Sequence, residues 1–316
     1  MTRQSNPKSP KILVLGSINM DLVVRTATLP APGETLLGHE LKQIPGGKGA
    51  NQAVAAARLG ARVAMVGRVG NDGFAARLTD ELGANDVDTD RVAATDNYSS
   101  GVAVISVDDE GQNCITVIPG ANAQLSCTDV RTHQSAFDEI DLLMLQLEVP
   151  LETVMGAIEL ARSRSIPVLL DPAPAPGEFP PELLQVDFLC PNETEARALS
   201  GIPVNDVNGA KEAAKILHAR GASHVIITMG NQGAVMCDQT GKCDHSPGFS
   251  VDAIDSTAAG DAFAAAFAIG IAEGCTFQDA VRFGCAAGAV ATGRVGAQPA
   301  MPIRNDITTL ISVAQT

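Results

Sequence analysis

Residues 249–272 read FSVDAIDSTAAGDAFAAAFAIGIA and give the clearest indication of the fold. A strand-like apolar run, Phe249 to Ile254, leads through small and polar residues into an Ala-rich stretch, Ala258 to Ala272, of about four helical turns. A helix that is apolar on every side is a buried helix. A strand followed by a buried helix is the repeating unit of a parallel sheet covered by helices.

The same alternation of strand and helix extends outward over nearly the whole chain. It predicts an α/β protein with three layers, α/β/α, around a mostly parallel central sheet. The other predicted strands are Ile12 to Leu15, Val63 to Val66, Leu142 to Leu147, Val168 to Leu170, Val186 to Cys190, Val225 to Thr228 and Ala234 to Cys237. The other predicted helices are Ala50 to Leu59, Gly73 to Leu82, Leu151 to Arg164, Glu193 to Leu199, Gly209 to Ala219 and Phe277 to Thr292.

Two segments, 18–45 and 99–118, interrupt this alternation with short strands. The second segment reads as a hairpin of Val102 to Val107 and Cys114 to Ile118. We expect the two segments to form a small β-sheet lid beside the main sheet. Because the hairpin strands are apolar on both faces, the lid needs a cover, and a homodimer formed through the lid would provide it.

Composition limits the class of protein. Residues 1–10 are polar and are expected to be a disordered N-terminus, with one α/β domain over 11–316. The 22 Lys and Arg against 36 Asp and Glu give a net charge of −14, which argues against a nucleic-acid or membrane partner. The seven cysteines are scattered and odd in number, so we expect reduced, buried thiols in a cytoplasmic protein.

Two common nucleotide-binding signatures are missing. The first strand is followed by Gly16-Ser17-Ile18-Asn19, which is not the GxGxxG of a dinucleotide site. The Gly-Gly-Lys-Gly run at 46–49 lacks the spacing and the hydroxyl residue of a P-loop. A nicotinamide oxidoreductase and a Walker-type NTPase are therefore both disfavoured.

The start of the Ala-rich helix is a candidate catalytic centre. Small residues at a helix start leave backbone N–H groups exposed, and with the helix dipole these make an anion site suited to a phosphoryl group in transfer. Asp261 beside that site could accept the proton of an attacking hydroxyl. An acidic residue that only stabilises the first helical turn is an equally good interpretation of this segment alone.

Other polar residues suggest a second part of the same site. Asn19 and Asp21 are two residues apart, so on a strand they face the same way and could bind the hydroxyls of a polyol. Glu148, Asn192 and Glu195 follow predicted strands, at the sheet edge where open α/β sheets bind ligands. Each of these residues could equally be an ordinary strand-end or helix-cap residue.

Several motifs in this order resemble the ribokinase branch of the PfkB-type carbohydrate kinases. The resemblance covers nearly the whole chain, and its most specific parts are the GGKGAN and AAGD elements. The matching segments are Gly16 to Asp21, Pro32 to Thr35, Gly46 to Ala57, Pro119 to Asn122, Pro191 to Glu195 and Ala258 to Asp261.

The resemblance implies transfer of the γ-phosphoryl group of MgATP to the 5-hydroxyl of D-ribose. Asp261 would be the general base, and the amides of Ala258, Ala259 and Gly260 would form the anion hole. The sugar would be held by Asn19, Asp21, Gly46, Gly47, Lys48, Asn51 and Glu148. The nucleotide would be held by Asn192, Thr228, Met229, Gly230, Asn231, Gln232, Gly233, Gly260 and Cys285, with Glu195 placing Mg2+ through water.

The resemblance also implies activation by K+. The corresponding positions are Asp255 and Thr257 on one loop and Ala291, Arg294, Gly296 and Ala300 on another. Two residues depart from the family pattern. Ala300 replaces the usual serine of the cation site, and Cys285 stands near the adenine where relatives often have Asn or His.

Two other functions remain open from the sequence alone. The first is phosphorylation of another furanose, of the deoxyribose or fructose type, because small differences in pocket shape change binding by only about 1 to 3 kcal/mol. The second is a catalytically silent sugar-binding or nucleotide-binding regulator on the same fold, which the presence of Gly260 and Asp261 disfavours.

Overall fold

The computed structural model describes residues 9–314. Most of the expected disordered N-terminus lies outside these residues, whereas Pro10 is buried and its carbonyl accepts a hydrogen bond from the Arg62 amide. The strands are β1 Lys11–Leu15, β2 Asn19–Arg25, β3 Glu40–Gly46, β4 Arg62–Gly70, β5 Val87–Thr95, β6 Gly101–Val107, β7 Asn113–Ile118, β8 Leu142–Leu145, β9 Val168–Leu170, β10 Phe188–Leu189, β11 His224–Thr228, β12 Ala234–Cys237 and β13 Cys243–Ser246. The α-helices are α1 Lys48–Arg58, α2 Ala75–Ala84, α3 Cys127–Thr132, α4 Leu151–Ser163, α5 Glu193–Ser200, α6 Val207–Ala219, α7 Ala259–Ala272, α8 Phe277–Thr292 and α9 Arg304–Val313.

The main sheet has nine strands in the order β13-β12-β11-β10-β9-β8-β1-β4-β5. All neighbouring strands from β11 to β5 run parallel, and β12 pairs antiparallel with both β11 and β13. Alternate residues of β1 enter different cores, Ile12 and Val14 on one face and Leu13 and Leu15 on the other. The prediction of a three-layer α/β/α fold with a mostly parallel sheet is confirmed.

The helices divide between the two faces of the sheet. One core contains residues of α1, α2, α7, α8 and α9, and the other contains residues of α3 to α6. Small residues allow α7 and α8 to pack closely, because a Cβ added at Gly270 would lie 3.0 Å from the Cβ of Ala280. This packing explains why α7 is apolar on nearly every side. It also fixes the start of α7 against the sheet edge.

A separate four-stranded sheet, in the order β3-β2-β6-β7, stands beside the main sheet. Its strands fall within the two predicted segments, so the prediction of a small second sheet is confirmed. The strand pairing places Val23, Ile105 and Ile115 on one face and Val24 and Leu41 on the other. Ile115 is 54% exposed and Leu41 is 61% exposed, so both faces present apolar side chains.

Two expectations from the sequence are wrong, and two strands were not expected. Phe249 to Ile254 forms no strand, because the sheet ends at β13 and residues of this segment instead line a cleft. The edge strands β5 and β13 were not predicted, since their many polar residues hide the apolar alternation. Among the cysteines, Cys237 and Cys243 form a disulfide because antiparallel pairing places them opposite each other, and Cys114 and Cys275 are exposed rather than buried.

Within residues 9–314, no helix has the length and apolar character needed to cross a membrane.

Candidate active site

Polar side chains gather at the carboxyl ends of β1, β8, β9 and β10, which lie side by side in the sheet. The first turns of α1, α5 and α7 enter the same region, and β2 leads from it into the small sheet. Parallel strands place their carboxyl ends at one edge, so segments far apart in sequence meet here.

Asp261, in the first turn of α7, is 4% exposed. Its Oδ2 accepts a hydrogen bond from Asn51 Nδ2 at 2.9 Å, and its Oδ1 accepts one from Gln52 Nε2 at 3.1 Å. Burial raises the pKa of Asp261 to about 6, although the nearby Lys48 ammonium acts in the opposite direction. The carboxylate is therefore ionised at neutral pH and can accept a proton from a hydroxyl.

Lys48, the first residue of α1, supplies positive charge to a site rich in carboxylates. Its Nζ lies 3.5 Å from Oδ2 of Asp171. Burial alone would lower the pKa of Lys48, but the surrounding carboxylates, with Asp171 and Asp261 foremost, raise it above its ordinary value. The Lys48 ammonium therefore stays charged among these carboxylates.

Asn19 and Glu148 meet at the start of the small sheet. Asn122 donates through Nδ2 to Oδ1 of Asn19 at 2.7 Å. This hydrogen bond fixes the orientation of the Asn19 amide, so that Nδ2 of Asn19 points towards Glu148. Oε2 of Glu148 also accepts hydrogen bonds from the Lys48 backbone N–H at 3.1 Å and from Ser17. The predicted sugar residues are thus brought together by strand ends of the main sheet.

Asp21 faces the same region and is 8% exposed. Burial, and then the negative charges of Glu148 and Asp261, raise its pKa to about 7. Gly46 makes this placement possible, since a Cβ at that position would overlap the Asp21 carboxylate. Gly47 has φ 87°, a backbone conformation that favours glycine, and it directs the chain into α1.

The predicted anion hole lies at the beginning of α7. Ala258 has φ 58°, in the left-handed region, and α7 begins at Ala259. The first N–H groups of a helix have no partner within the helix and lie at its positive end. The Ala259 amide donates to the Ser256 carbonyl at 3.3 Å, so the amides of Ala258 and Gly260 are the ones left for an anionic ligand.

A cleft of about 600 Å³ begins at this helix start. Of the predicted nucleotide residues, it is lined by Thr228, Gly230, Asn231, Gly233, Gly260 and Cys285. Met229 is instead buried in a core, and Gln232 and Asn192 are outside the lining. The sequence missed the apolar wall formed by Phe249, Val251, Phe263 and Ala289, because Phe249 was assigned to a strand.

Residues 9–304 match the family described as pfkB family carbohydrate kinase. The chain belongs to this family.

Relatives of this pfkB family chain agree with the assignment. It is 40% identical over 295 residues to the ribokinase of Haemophilus influenzae, covering 93% of this chain and 96% of that protein. It is 42% identical over 258 residues to the deoxyribokinase of Salmonella typhi, covering 81% of this chain and 84% of the relative. The solved structure of Arabidopsis thaliana ribokinase complexed with ribose and ATP has a TM-score of 0.90 and 31% identity, covering 96% of this chain and 99% of that one.

The two loops predicted to hold K+ meet at Asp255. Its Oδ1 accepts a hydrogen bond from the Thr257 amide at 2.9 Å, and its Oδ2 accepts one from the Gly296 amide at 2.8 Å. The Arg294 side chain pairs with Asp306, so Arg294 can offer only its backbone carbonyl to a cation. Ala291 and Ala300 are buried, and the Ala291 carbonyl accepts a hydrogen bond from the Arg294 amide.

Glu195 and Asn192 cap α5 reciprocally. The Asn192 side chain accepts a hydrogen bond from the Glu195 N–H, and Oε2 of Glu195 accepts one from the Asn192 N–H. Burial raises the pKa of Glu195, whereas the hydrogen bond from Asn192 and the Lys48 charge lower it. Over residues 9–314, no cluster of three or more His, Cys, Asp or Glu residues suits a metal ion.

Sequence reasoning missed four polar residues of this pfkB family site: Ser17, Gln52, Asn122 and Asp171. Asp171 follows β9, so the rule that selected Glu148 and Asn192 could have found it. Gln52 is adjacent to Asn51 in a quoted motif, but nothing in the sequence indicates that both amides reach the same carboxylate.

Proposed function

We propose that this chain transfers the γ-phosphoryl group of MgATP to the 5-hydroxyl of D-ribose, giving D-ribose 5-phosphate and ADP. The observation that carries the proposal is the position of Asp261. It directly follows Gly260, which lines the cleft, and its charge acts on Asp21 on the proposed sugar side. A hydroxyl bound between these two halves would be placed for transfer.

Each half has a separate role in the proposed reaction. Asn19, Asp21 and Glu148 bind hydroxyls of the sugar, and the Asp261 carboxylate accepts the proton of the attacking hydroxyl as it reaches the phosphorus. The amides of Ala258, Ala259 and Gly260 stabilise the charge on the transferring phosphoryl group. Such transfer needs positioning and charge stabilisation and no covalent intermediate.

Two cations belong to the proposal. The buried carboxylate of Glu195 faces the site and suits the water shell of the Mg2+ that accompanies ATP. K+ would be held by oxygen atoms of the Asp255 and Thr257 loop and of the loop containing Ala291, Arg294, Gly296 and Ala300, where it adds positive potential beside the anion hole. A reaction that consumes ATP also favours a cytoplasmic location.

The test is ADP formation by purified protein with MgATP, saturating D-ribose and potassium, against a control without sugar. Ribose-dependent ADP formation is the expected result. Absence of turnover with every furanose tried would contradict the proposal and favour a silent binding protein. Replacing potassium by a large organic cation in the same assay tests the K+ role, and unchanged rates would contradict it.

Deoxyribose is a second candidate substrate, because the deoxyribokinase of Salmonella typhi is as similar to this chain as the ribokinases are. The two sugars differ by the 2-hydroxyl. Comparing kcat/KM for D-ribose, deoxyribose and fructose decides between them. We expect D-ribose to be preferred, and a higher value for either other sugar would reassign the substrate.

We also infer a homodimer through the small sheet. The face that carries Asp21 continues into Val23, Ile105, Ile115 and Val117, and the last two are half exposed. A second copy of the same apolar face would cover them.

Light scattering at micromolar concentration should give the mass of two chains, and Ile115→Lys should give the mass of one. Leu41→Lys, on the opposite face, is the matched control and should leave the mass unchanged. A wild-type monomer would contradict the inferred dimer.

A further inference from the structure

Gln52 lies at the centre of a buried polar group behind Asp261. Its Nε2 donates to Oδ1 of Asp261 at 3.1 Å and to Oδ2 of Asp171 at 3.0 Å. Its Oε1 accepts a hydrogen bond from Gln146 Nε2 at 2.6 Å. Because the carbonyl is occupied by Gln146, the two N–H bonds of Gln52 are directed at the two carboxylates.

The two carboxylates that Gln52 joins share one cation. Asp171 is buried, and its Oδ2 lies 3.5 Å from the Lys48 ammonium as well as 3.0 Å from Gln52. Lys48 also attracts Asp261. Asp171 therefore competes with Asp261 for Lys48, while Gln52 holds Asp261 by a neutral hydrogen bond.

We propose that Gln52 is a positioning residue for phosphoryl transfer, which bridges the Asp261 carboxylate to Asp171 and so keeps the base oriented. The proposal rests on the function proposed above, in which Asp261 is the base. Gln52 itself is not one of the proposed sugar-binding or nucleotide-binding residues. It acts through Asp261.

The physical reason is the high density of charge in a region shielded from water. The groups that face Asp261 are Lys48 from α1, Asp21 from β2, Glu195 from α5, and Asp171 and Glu148 from the ends of β9 and β8. Without Gln52, Asp261 would lose a donor that favours its ionised form, and its carboxyl group would be free to rotate. The first change leaves less of the base ionised near pH 6, and the second turns the carboxylate away from the attacking hydroxyl.

Gln52→Met tests the bridge, because methionine has nearly the same length and no amide. We expect kcat to fall on the order of 10- to 100-fold, with the KM for sugar and for ATP within about threefold of wild type. The acid limb of the kcat/KM profile should move to higher pH, because the lost hydrogen bond favoured the carboxylate. Thr153→Val, which removes a buried hydrogen bond to the Leu125 carbonyl and is not among the groups that face Asp261, is the control for lost buried polarity.

Asp171→Asn is the second variant, and it should shift the acid limb in the opposite direction. Removing the negative charge of Asp171 lowers the pKa of Asp261, so the limb should move to lower pH. This variant keeps the size of the side chain and an oxygen that can accept from Gln52. It therefore tests whether Asp171 acts on the base, with Gln52 in place, even where Gln52→Met fails to fold.

Carbon-13 NMR titration of the Asp261 carboxyl in wild type and both variants measures the shift of the Asp261 pKa without the need for turnover. Opposite shifts of the Asp261 pKa in the two variants support the proposal. Unchanged titration of Asp261 in Asp171→Asn, or unchanged kcat in a folded Gln52→Met, overturns it. A wild-type protein that does not phosphorylate any furanose removes the proposed function, while the NMR shifts still decide whether the bridge controls Asp261.

Discussion

The proposed sugar side and the proposed nucleotide cleft are formed by different kinds of groups. On the proposed sugar side, charged and amide side chains are hydrogen-bonded to one another, as in the group of the buried Asn19 and Asn122 with the half-buried Glu148. The cleft is lined mainly by glycines and apolar side chains such as Phe249 and Phe263, and it is open to solvent. One half therefore depends on specific side chains, and the other depends on backbone and shape.

This difference indicates how each half recognises its ligand. Buried polar groups discriminate strongly, because a sugar that fails to pair with them leaves desolvated groups without a partner. An apolar cleft discriminates weakly between similar ligands. Point substitutions should therefore be more damaging on the sugar side than in the cleft.

The largest effect is expected at the junction of the two halves. Asp261→Asn retains the shape of the side chain and an oxygen that can accept from one of the two amides, Asn51 or Gln52, but it removes the base, so kcat should fall about a thousandfold or more. Isothermal titration with D-ribose should show binding close to wild type. An unchanged kcat would mean that Asp261 is not the base.

The next largest effect tests the sugar side alone. Asp21→Ala removes a buried carboxylate that faces the sugar, so the KM for D-ribose should rise about 10- to 100-fold while the KM for ATP stays constant. Asp80→Ala, on the exposed surface of α2, is the matched control. Equal rises in both KM values would show that the two halves are not independent.

A pH profile measures the base without substitution. Burial raises the pKa of Asp261 to about 6, so the ionised base is lost as the pH falls through that value. We expect kcat, which reports groups of the enzyme–substrate complex, to change little above pH 7 and to fall about tenfold per unit well below pH 6. A profile that stays flat down to the ordinary range of aspartate would contradict a raised pKa.

The smallest effect is expected in the cleft. Cys285→Leu enlarges a side chain of the lining, so the KM for ATP should rise by about tenfold at most, with the KM for sugar unchanged. Cys275→Leu, at an exposed position outside the cleft, is the control. A much larger rise in the KM for ATP would show that the Cys285 thiol makes a specific contact with the adenine.

Much of the fold could be predicted because apolar periodicity follows burial. The strand Val168–Leu170 and the helix Phe277–Thr292 have the predicted bounds, since both are largely buried and end at polar or glycine residues. The strand Val87–Thr95 was missed because it lies at the sheet edge, where one face needs few apolar residues. Edge position is a property of the sheet and leaves little trace in the sequence.

The sequence by itself determined the α/β architecture, the small second sheet and the motifs around Asp21, Lys48 and Asp261. Each of these features depends on a pattern of residues that are close together in the sequence. Only the tertiary structure decided that Gln52 joins Asp261 to Asp171 and that Cys237 lies opposite Cys243. These contacts depend on how helices and strands are placed relative to one another. A hydrogen bond is formed or lost over about 1 Å, and only packing sets such distances.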